Sequence, residues 1–402
     1  MNVLRSLTPR GRIFLGVGAV ITVGALALGE RDLLRIAVLV AAVPPVGVLL
    51  LLLTPRKVDH TRELSARRVP AGTDCRVALT LTNPSWSLPV GPLLAEDRLP
   101  FALGVPPRFN LGVLRPGERR TFSYRLRSHA RGRYPIGPLV VGFVDPLGCA
   151  RLERPIGTEA SLLVLPPVME LPAAARTGAA TGGPRPVRAP AGTDDDTTPR
   201  PYRSGDDLRR VHWRSTARRG RLMVRGEEQR RLDASVVLVD LRSTAHTGAR
   251  TASSLEGAVT VAASIAVHLA DRGHRLRLLG DGVVLDGTRR RDAVLDALAL
   301  AASSEAPSLR AGITRLAGAS VSGRGMAVAV VGALAADEVA ALAACRPGRS
   351  DGRVAVLVPR AAWPEEARVR AARELTEAGW RVLCPEHTGQ LPELWGGSGA
   401  AR

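Results

Sequence analysis

Residues 200–231 read R-P-Y-R-S-G-D-D-L-R-R-V-H-W-R-S-T-A-R-R-G-R-L-M-V-R-G-E-E-Q-R-R, which sets an acid, an imidazole and a hydroxyl close together as Asp206, His212 and Ser215. Those are the parts of a hydrolytic triad. Ser204 followed by Asp207 reads as a capping box with an acid in place of the usual Glu, and it predicts a helix that Gly220 closes. At about 100° per residue Ser215 falls some 60° from His212, whereas Asp206 falls roughly 240° away on another face. A nucleophile, its base and the group orienting that base must be in mutual reach, so the spacing argues against a triad. A hydrolase using the Asp206/His212 region is kept as an alternative.

The same residues interleave arginine with Tyr202, His212 and Trp213, which is chemistry for phosphate contacts and base stacking. The stretch matches no nucleic-acid motif, and only 3% of the chain is aromatic, so nucleic acid is disfavoured. An anionic-lipid or nucleic-acid binder stands as a second alternative. Leu208, Val211, His212 and Ser215 share one face of the predicted helix, while Arg209, Arg210, Arg214, Arg218 and Arg219 are too many to bury. Ion pairs from Asp206 to Arg209 or Arg210 contribute only ~0.3–0.5 kcal/mol each, whereas truncating a buried Trp costs ~3–5 kcal/mol. The expectation is therefore a structural clamp with Trp213 packed on the neighbouring domain and Arg214 and Arg219 left free for a partner.

Positioning such a segment falls to a chain of 402 residues, enough for two or three folding units at roughly 150 residues each. Its 56 Lys+Arg against 37 Asp+Glu give a formal net charge of +19, a sign that favours anionic partners. With 45% hydrophobic residues, 41 Gly and 30 Pro, wholesale disorder and a collagen-like chain are excluded. Cys75, Cys149, Cys345 and Cys384 stand singly, with no CxxC pair, which argues for a reducing compartment.

Two apolar runs, 13–29 and 36–53, are each close to the ~20 residues that span a bilayer. The second run follows at once, so the first is not a cleaved signal peptide, and the break at Glu30, Arg31 and Asp32 is too short to hold a domain. The two runs predict a transmembrane hairpin. Arg5, Arg10 and Arg12 precede it, and Arg56, Lys57, Arg62, Arg67 and Arg68 follow it, against only Arg31 and Arg35 in the loop. The positive-inside rule then puts both flanks in the cytoplasm, making a multi-pass protein of the cell membrane with cytoplasmic soluble domains. Pro44-Pro45 predicts a kink in the second span.

Beyond the hairpin, C-R-V-A-L-T-L-T at 75–82, T-F-S-Y-R-L at 121–126 and P-L-V-V-G-F-V at 138–144 alternate with period two between turn signals. Residues 58–171 thus predict a β-sandwich of about six to eight strands, with no catalytic constellation. Residues 172–199, rich in Pro, Gly and Ala, predict a flexible linker or loop. From 232 to 402 the pattern is strand, helix, strand. Strands are predicted near 234–240, 275–279, 326–331, 354–358 and 381–384, and helices near 254–272, 289–302, 335–346 and 364–378. Leu255, Ala258, Val259, Ala262, Ile265, Ala266 and Leu269 form a stripe buried on one side. Such alternation predicts a mostly parallel, doubly wound sheet. Gly280-Asp281-Gly282 predicts a tight hairpin turn.

The pattern Arg200-x-Tyr202-x-x-Gly205-Asp206-x-x-Arg209-x-Val211-His212-Trp213-x-x-Thr216-Ala217-Arg218, with Leu222 and Val224 beyond it, resembles the signature of the domain of unknown function 58 family. Arg131-Gly132-Arg133-Tyr134-x-x-Gly137-Pro138 and Asp145-Pro146-Leu147-Gly148 also recur there. The resemblance implies two N-terminal membrane helices (1–57), a β-rich region (58–171) and a C-terminal von Willebrand factor A-like domain (232–402), with residues 200–231 as the family signature. It further implies company with MoxR-type AAA+ ATPases and membrane transglutaminase-like proteins. A-like domains often carry a metal site written D-x-S-x-S at the end of the first strand. Here the corresponding residues are Asp240, Arg242 and Thr244, and Arg242 puts a fixed cation where a hydroxyl ligand belongs. Residues 332–334, Gly-Ala-Leu, supply no carboxylate. The site is expected to be degenerate and metal-free, with no cofactor, and the protein to be a non-enzymatic, membrane-anchored adaptor.

Overall fold

The computed structural model describes residues 7–53, 57–173, 199–202, 211, 213–225, 233–322, 325–347, 352–359 and 361–397. These form two compact units, Met1–Pro167 and Val168–Arg402. The break therefore falls just ahead of the predicted linker. Met169 belongs to the second unit, where its N–H donates to Ser264 Oγ at 3.0 Å.

The first unit opens with helices α1 (Pro9–Leu28) and α2 (Arg31–Leu53). Thr8 caps α1 by accepting from Gly11 N–H, Pro9 occupies the first turn, and Gly29 ends the helix in the left-handed region at φ 72°. Both helices are long and apolar enough to cross a membrane. They lie side by side, so close that a Cβ on Gly18 would sit 2.9 Å from that of Ala41. Outward-facing Val20, Leu28 and Leu39 are exposed. Pro44 and Pro45 lie inside α2, which runs on to Leu53.

Ten strands follow in the same unit: β1 (Asp59–Leu64), β2 (Arg68–Pro70), β3 (Asp74–Thr82), β4 (Val90–Asp97), β5 (Arg108–Leu114), β6 (Arg119–Arg127), β7 (Gly132–Ile136), β8 (Leu139–Val144), β9 (Arg151–Ile156) and β10 (Ala160–Leu165). They build three sheets, ordered β1-β3-β6, β2-β10-β7 and β5-β4-β8-β9. Strand β3 shows how alternation becomes packing. Cys75 and Val77 enter one hydrophobic core with Leu126, Ile136, Leu162 and Val164, while Leu79 and Leu81 enter another with Leu93, Leu111, Leu139 and Phe143. Each such fully buried aliphatic side chain contributes about 1.5–3 kcal/mol. Leu51 of α2 belongs to the second of these cores, so the last turn of the helix is also a core element of the β-rich unit.

One buried ion pair joins two of these sheets. Arg62 of β1 donates to both oxygens of Asp97 on β4, at 2.6 and 3.1 Å, and Tyr124 Oη of β6 donates to the same carboxylate at 2.5 Å. Burial, followed by that hydrogen bond to Asp97, pushes the Tyr124 hydroxyl far above its ordinary range.

In the second unit, β11 (Pro199–Pro201) pairs antiparallel with β12 (Met223–Arg225), and the short helix α3 (Trp213–Arg219) precedes β12. A six-stranded sheet follows, ordered β15-β14-β13-β16-β17-β18, from β13 (Ala234–Val239), β14 (Arg275–Gly280), β15 (Val283–Thr288), β16 (Ala327–Val331), β17 (Arg353–Leu357) and β18 (Arg381–Leu383). All neighbours run parallel except β14 and β15, whose hairpin turns at Asp281 and Gly282. Helices α4 (Ser254–Asp271), α5 (Arg291–Leu300), α6 (Arg310–Ala317), α7 (Ala336–Ala344) and α8 (Glu365–Glu377) connect the strands, and α9 (Leu391–Gly396) ends the unit. The expected stripe on α4 is buried in full. Residues of α6, α7 and α8 pack on one face of the sheet with Val236, Leu238, Ala329 and Leu357, and α4 packs on β13, β14 and β16. The central strands, covered on both sides, are continuous Val/Ala/Leu runs, as parallel strands require.

Candidate functional site

The chain leaves β13 for β14 on one side and returns to β16 on the other, so the sheet has its topological switch point at the carboxyl ends of β13 and β16, where doubly wound folds take their ligands. Asp240 follows β13 directly and is fully buried. The position a hard cation would take is filled by the Arg242 guanidinium. Its Nε donates to Asp240 Oδ1 at 2.9 Å and one terminal nitrogen to Oδ2 at 2.8 Å. The other terminal nitrogen reaches both oxygens of Glu338, at 3.1 and 3.2 Å, and Ala333 O accepts at 2.9 Å.

Glu338 sits in the first turn of α7. It also accepts from Ala335 N at 2.9 Å, Leu309 N at 2.7 Å and Ser308 Oγ at 2.7 Å. Two carboxylates against one guanidinium leave a formal negative charge, which those N–H groups, the helix N-terminus and Gly332 N on Asp240 at 3.2 Å offset. Burial alone would push the Glu338 carboxyl up. The hydrogen bonds from Ala335, Leu309 and Ser308, with the charge of Arg242, outweigh it and hold the carboxyl below its ordinary range. Arg242 is likewise opposed by burial, yet its two acids raise its pKa further, so it stays charged.

His246 completes the network. Asp240 O can only accept, so His246 Nε2, at 2.9 Å, carries the proton, and Ser254 Oγ donates to Nδ1 at 3.1 Å. Burial, with Arg242 nearby, lowers the imidazole pKa and keeps it neutral. This Ser-His pair lacks the carboxylate that would stabilise an imidazolium, and Ser254 Oγ is already engaged by Thr247 N at 3.0 Å. Its role is to tie the start of α4 to the strand end.

Asp240 and Arg242 therefore meet as the sequence suggested, whereas Thr244 lies exposed in the turn Ser243–Ala245 and takes no part. Residues 332–334 supply no carboxylate, as expected, but Glu338, just beyond them, supplies one that the sequence reading missed. Neither Glu338 nor His246 carried a motif. An acid in the first turn of a helix is ordinarily a solvated dipole partner, and nothing local shows that it turns inward to a residue 96 positions away.

The signature segment is described in part. Arg200 on β11 pairs with Val224 on β12, Tyr202 N donates to Leu222 O at 2.9 Å, and Met223 is fully buried. Val211 is buried but precedes the helix instead of lying on it. Gly220 closes α3 at φ 65° as expected. Gly205, Asp206, Arg209 and His212 lie outside the described residues, as do the proposed capping box and the ion pairs of Asp206. The expectation for Trp213 is overturned: it is 72% exposed. It opens a helix whose Ala217, Arg218 and Arg219 are exposed as well.

An α/β unit with an arginine-filled switch point, preceded by a basic strand-helix-strand segment and a helix-led β-rich unit, defines the class. Residues 198–364, less than half of the chain, match the model of the family described as "Protein of unknown function DUF58". No curated protein matches it. Among solved structures, it is similar to the CARDB domain of a Pyrococcus furiosus protein at 11% identity, covering 27% of this chain and 99% of that one with a TM-score of 0.19. It is also similar to Spo0M, a sporulation control protein from Bacillus subtilis, at 8% identity, covering 27% of this chain and 50% of that one with a TM-score of 0.17.

Two expected outcomes follow from the Arg242 network. Calorimetric titration of the full-length protein in detergent with Mg²⁺, Mn²⁺ or Ca²⁺ should give no saturable heat, and micromolar binding would mean that the guanidinium can be displaced. Because the Glu338 carboxyl is depressed from 4.5, the stability it contributes is present above that pH and lost as pH falls through its lower folded value. Unfolding followed from pH 7 down to pH 3 should lose stability more steeply in the wild type than in Glu338→Gln; parallel curves would remove Glu338 from the account.

Proposed function

We propose that this protein is a membrane-anchored, non-enzymatic adaptor. In this reading the two apolar helices cross the cell membrane as a hairpin, both soluble units face the cytoplasm, and the second unit is a von Willebrand factor A-like domain that docks a MoxR-type AAA+ ATPase. A membrane transglutaminase-like protein is the further partner implied by the family resemblance. The observation that carries the reading is Trp213. A large aromatic face left 72% exposed, beside Arg214, Arg218, Arg219 and Arg221, which make no ion pair among the described residues, has the composition of a protein-protein hot spot, in which Trp and Arg predominate. The filled switch point supports the adaptor reading from the other side. A buried, fully hydrogen-bonded guanidinium offers a substrate no vacant charge and no activated nucleophile.

The exposure of Trp213 reverses the expectation for its replacement. Trp213→Ala should leave melting nearly unchanged, since exposed substitutions usually stay within about 0.5 kcal/mol. Binding of the full-length protein to a purified MoxR-type ATPase from the same organism should weaken by about 2 kcal/mol, roughly 30-fold, as for a hot-spot residue. Arg218→Glu with Arg219→Glu should weaken it further and make the residual binding insensitive to salt. Unchanged binding by both variants would sink the docking surface.

Topology is tested separately. Reporter fusions after Lys57 and after Arg402 should both read cytoplasmic, and an extracytoplasmic reading at either point would refute the hairpin.

A further inference from the structure

The turn that joins β8 to β9 carries Asp145-Pro146-Leu147-Gly148-Cys149 and is packed against the two apolar helices. A Cβ on Gly11 of α1 would overlap Cys149 O at 2.2 Å, and one on Gly47 of α2 would lie 2.7 Å from Asp145 Oδ2. Thr8, at the start of α1, donates from its N–H to Cys149 O at 3.0 Å and from Oγ to Gly148 O at 2.6 Å. The turn is thereby fixed at the level of Gly11 and Gly47.

That level can be compared with a bilayer. From Arg31, at the corner between the helices, to Gly47 is roughly 25 Å of helix at about 1.5 Å per residue, while a hydrocarbon core is about 30 Å thick. If the corner lies at one surface, the opposite surface falls several ångströms beyond Gly47, near Leu51. The exposure of α2 agrees. Leu49 at 54%, Leu50 at 40% and Leu52 at 45% remain open on its outer side, and they need lipid as much as the residues before them do. The turn at Gly47 is then below the headgroups.

Irregular backbone at that depth is tolerated only where its polar groups are satisfied internally. Here Asp145 N donates to Ala150 O at 3.2 Å, Gly148 N to Asp145 O at 2.9 Å, Leu147 N to Asp145 Oδ2 at 3.0 Å and Ala150 N to Asp145 Oδ1 at 2.5 Å, while Pro146 has no N–H to satisfy. The Asp145 carboxylate is itself buried. The side chains that the turn leaves outside are those of Pro146 and Leu147, the latter 49% exposed. Arg10, whose guanidinium would lie 3.8 Å from a Cβ on Gly148, is exposed beside it with no ion pair among the described residues, and its long side chain can carry charge outward to lipid phosphates.

We propose that the Asp145–Cys149 turn is a membrane-insertion element: Leu147 enters the acyl edge of the leaflet and seats the β-rich unit in lipid. The proposal rests on the transmembrane reading of α1 and α2. Its test uses full-length protein reconstituted in nanodiscs, with Leu147→Trp compared against the wild type so that the native tryptophans cancel. The added emission should be blue-shifted, quenched by lipids brominated near the headgroup end of the acyl chain, and inaccessible to aqueous iodide. An added emission quenched by iodide and untouched by brominated lipid overturns the insertion, and so does one reached by neither quencher, which would mean that a second copy or another protein covers the turn. A photo-cross-linking residue at position 147, expected to label lipid, gives the same decision without relying on the fold of the tryptophan variant. Failure of the protein to remain in membranes after a carbonate wash is a different result, since it removes the transmembrane reading itself.

Discussion

A guanidinium buried between two carboxylates organises the α/β unit. Arg242 could not be buried alone, because moving an unpaired charge out of water costs far more than any single contact returns. It is held by Asp240 at the end of β13, Glu338 at the start of α7 and Ala333 after β16, and Glu338 in turn holds Leu309 and Ser308 ahead of α6. Segments far apart in sequence thus converge on one charge. The carboxyl end of β13, at the switch point where this architecture takes ligands, is occupied by the protein's own cation.

The β-rich unit meets the same constraint in two ways. Asp97 is neutralised by Arg62 and capped by Tyr124, so its charge joins two sheets across a core. Asp145 is buried with backbone N–H groups as partners, which is the economical solution for a turn pressed against apolar helices, where a second long charged side chain would have to be desolvated too. The ion pair fixes one sheet against another, while the N–H donors fix the shape of a single loop. Burial of a carboxylate thus serves tertiary registration in one place and local geometry in the other.

Elements whose periodicity is set by burial could be read from sequence. The alternation of β3 and the stripe on α4 appear where expected because a side chain's face follows from its position along a regular element. The strands from β13 to β18 were similarly legible, except the edge strand β15, whose V-V-L-D-G-T carries weak alternation, and the short α6, whose eight residues hold only a narrow apolar face. What failed was inference from residue type to burial. Trp213 was expected inside because tryptophan is costly to expose, yet it is 72% exposed. Leu51 reads as the end of a membrane span and is also part of the β-rich core. Glu338 reads as a solvated helix acid and is buried. For Leu51 and Glu338 the deciding contact is long-range, and no local pattern encodes it.

The basic excess is divided accordingly. Arg62 and Arg242 are committed to acids 35 and 96 positions away, and their charge is spent inside the fold. Among the described residues Arg214, Arg218, Arg219 and Arg221 have no such acid, and they flank the exposed Trp213. A net charge of +19 distributed as paired surface arginines would give a diffuse field, screened beyond about 8–10 Å at physiological salt. Unpaired guanidinium groups gathered on one short helix beside an aromatic face combine charge with apolar area over a small patch, which is the combination that contact recognition requires. The buried Arg242 and the exposed helix are thus complementary results of one distribution of arginine: where an acid is brought to meet it the residue is structural, and where none of the described residues supplies one it stays at the surface.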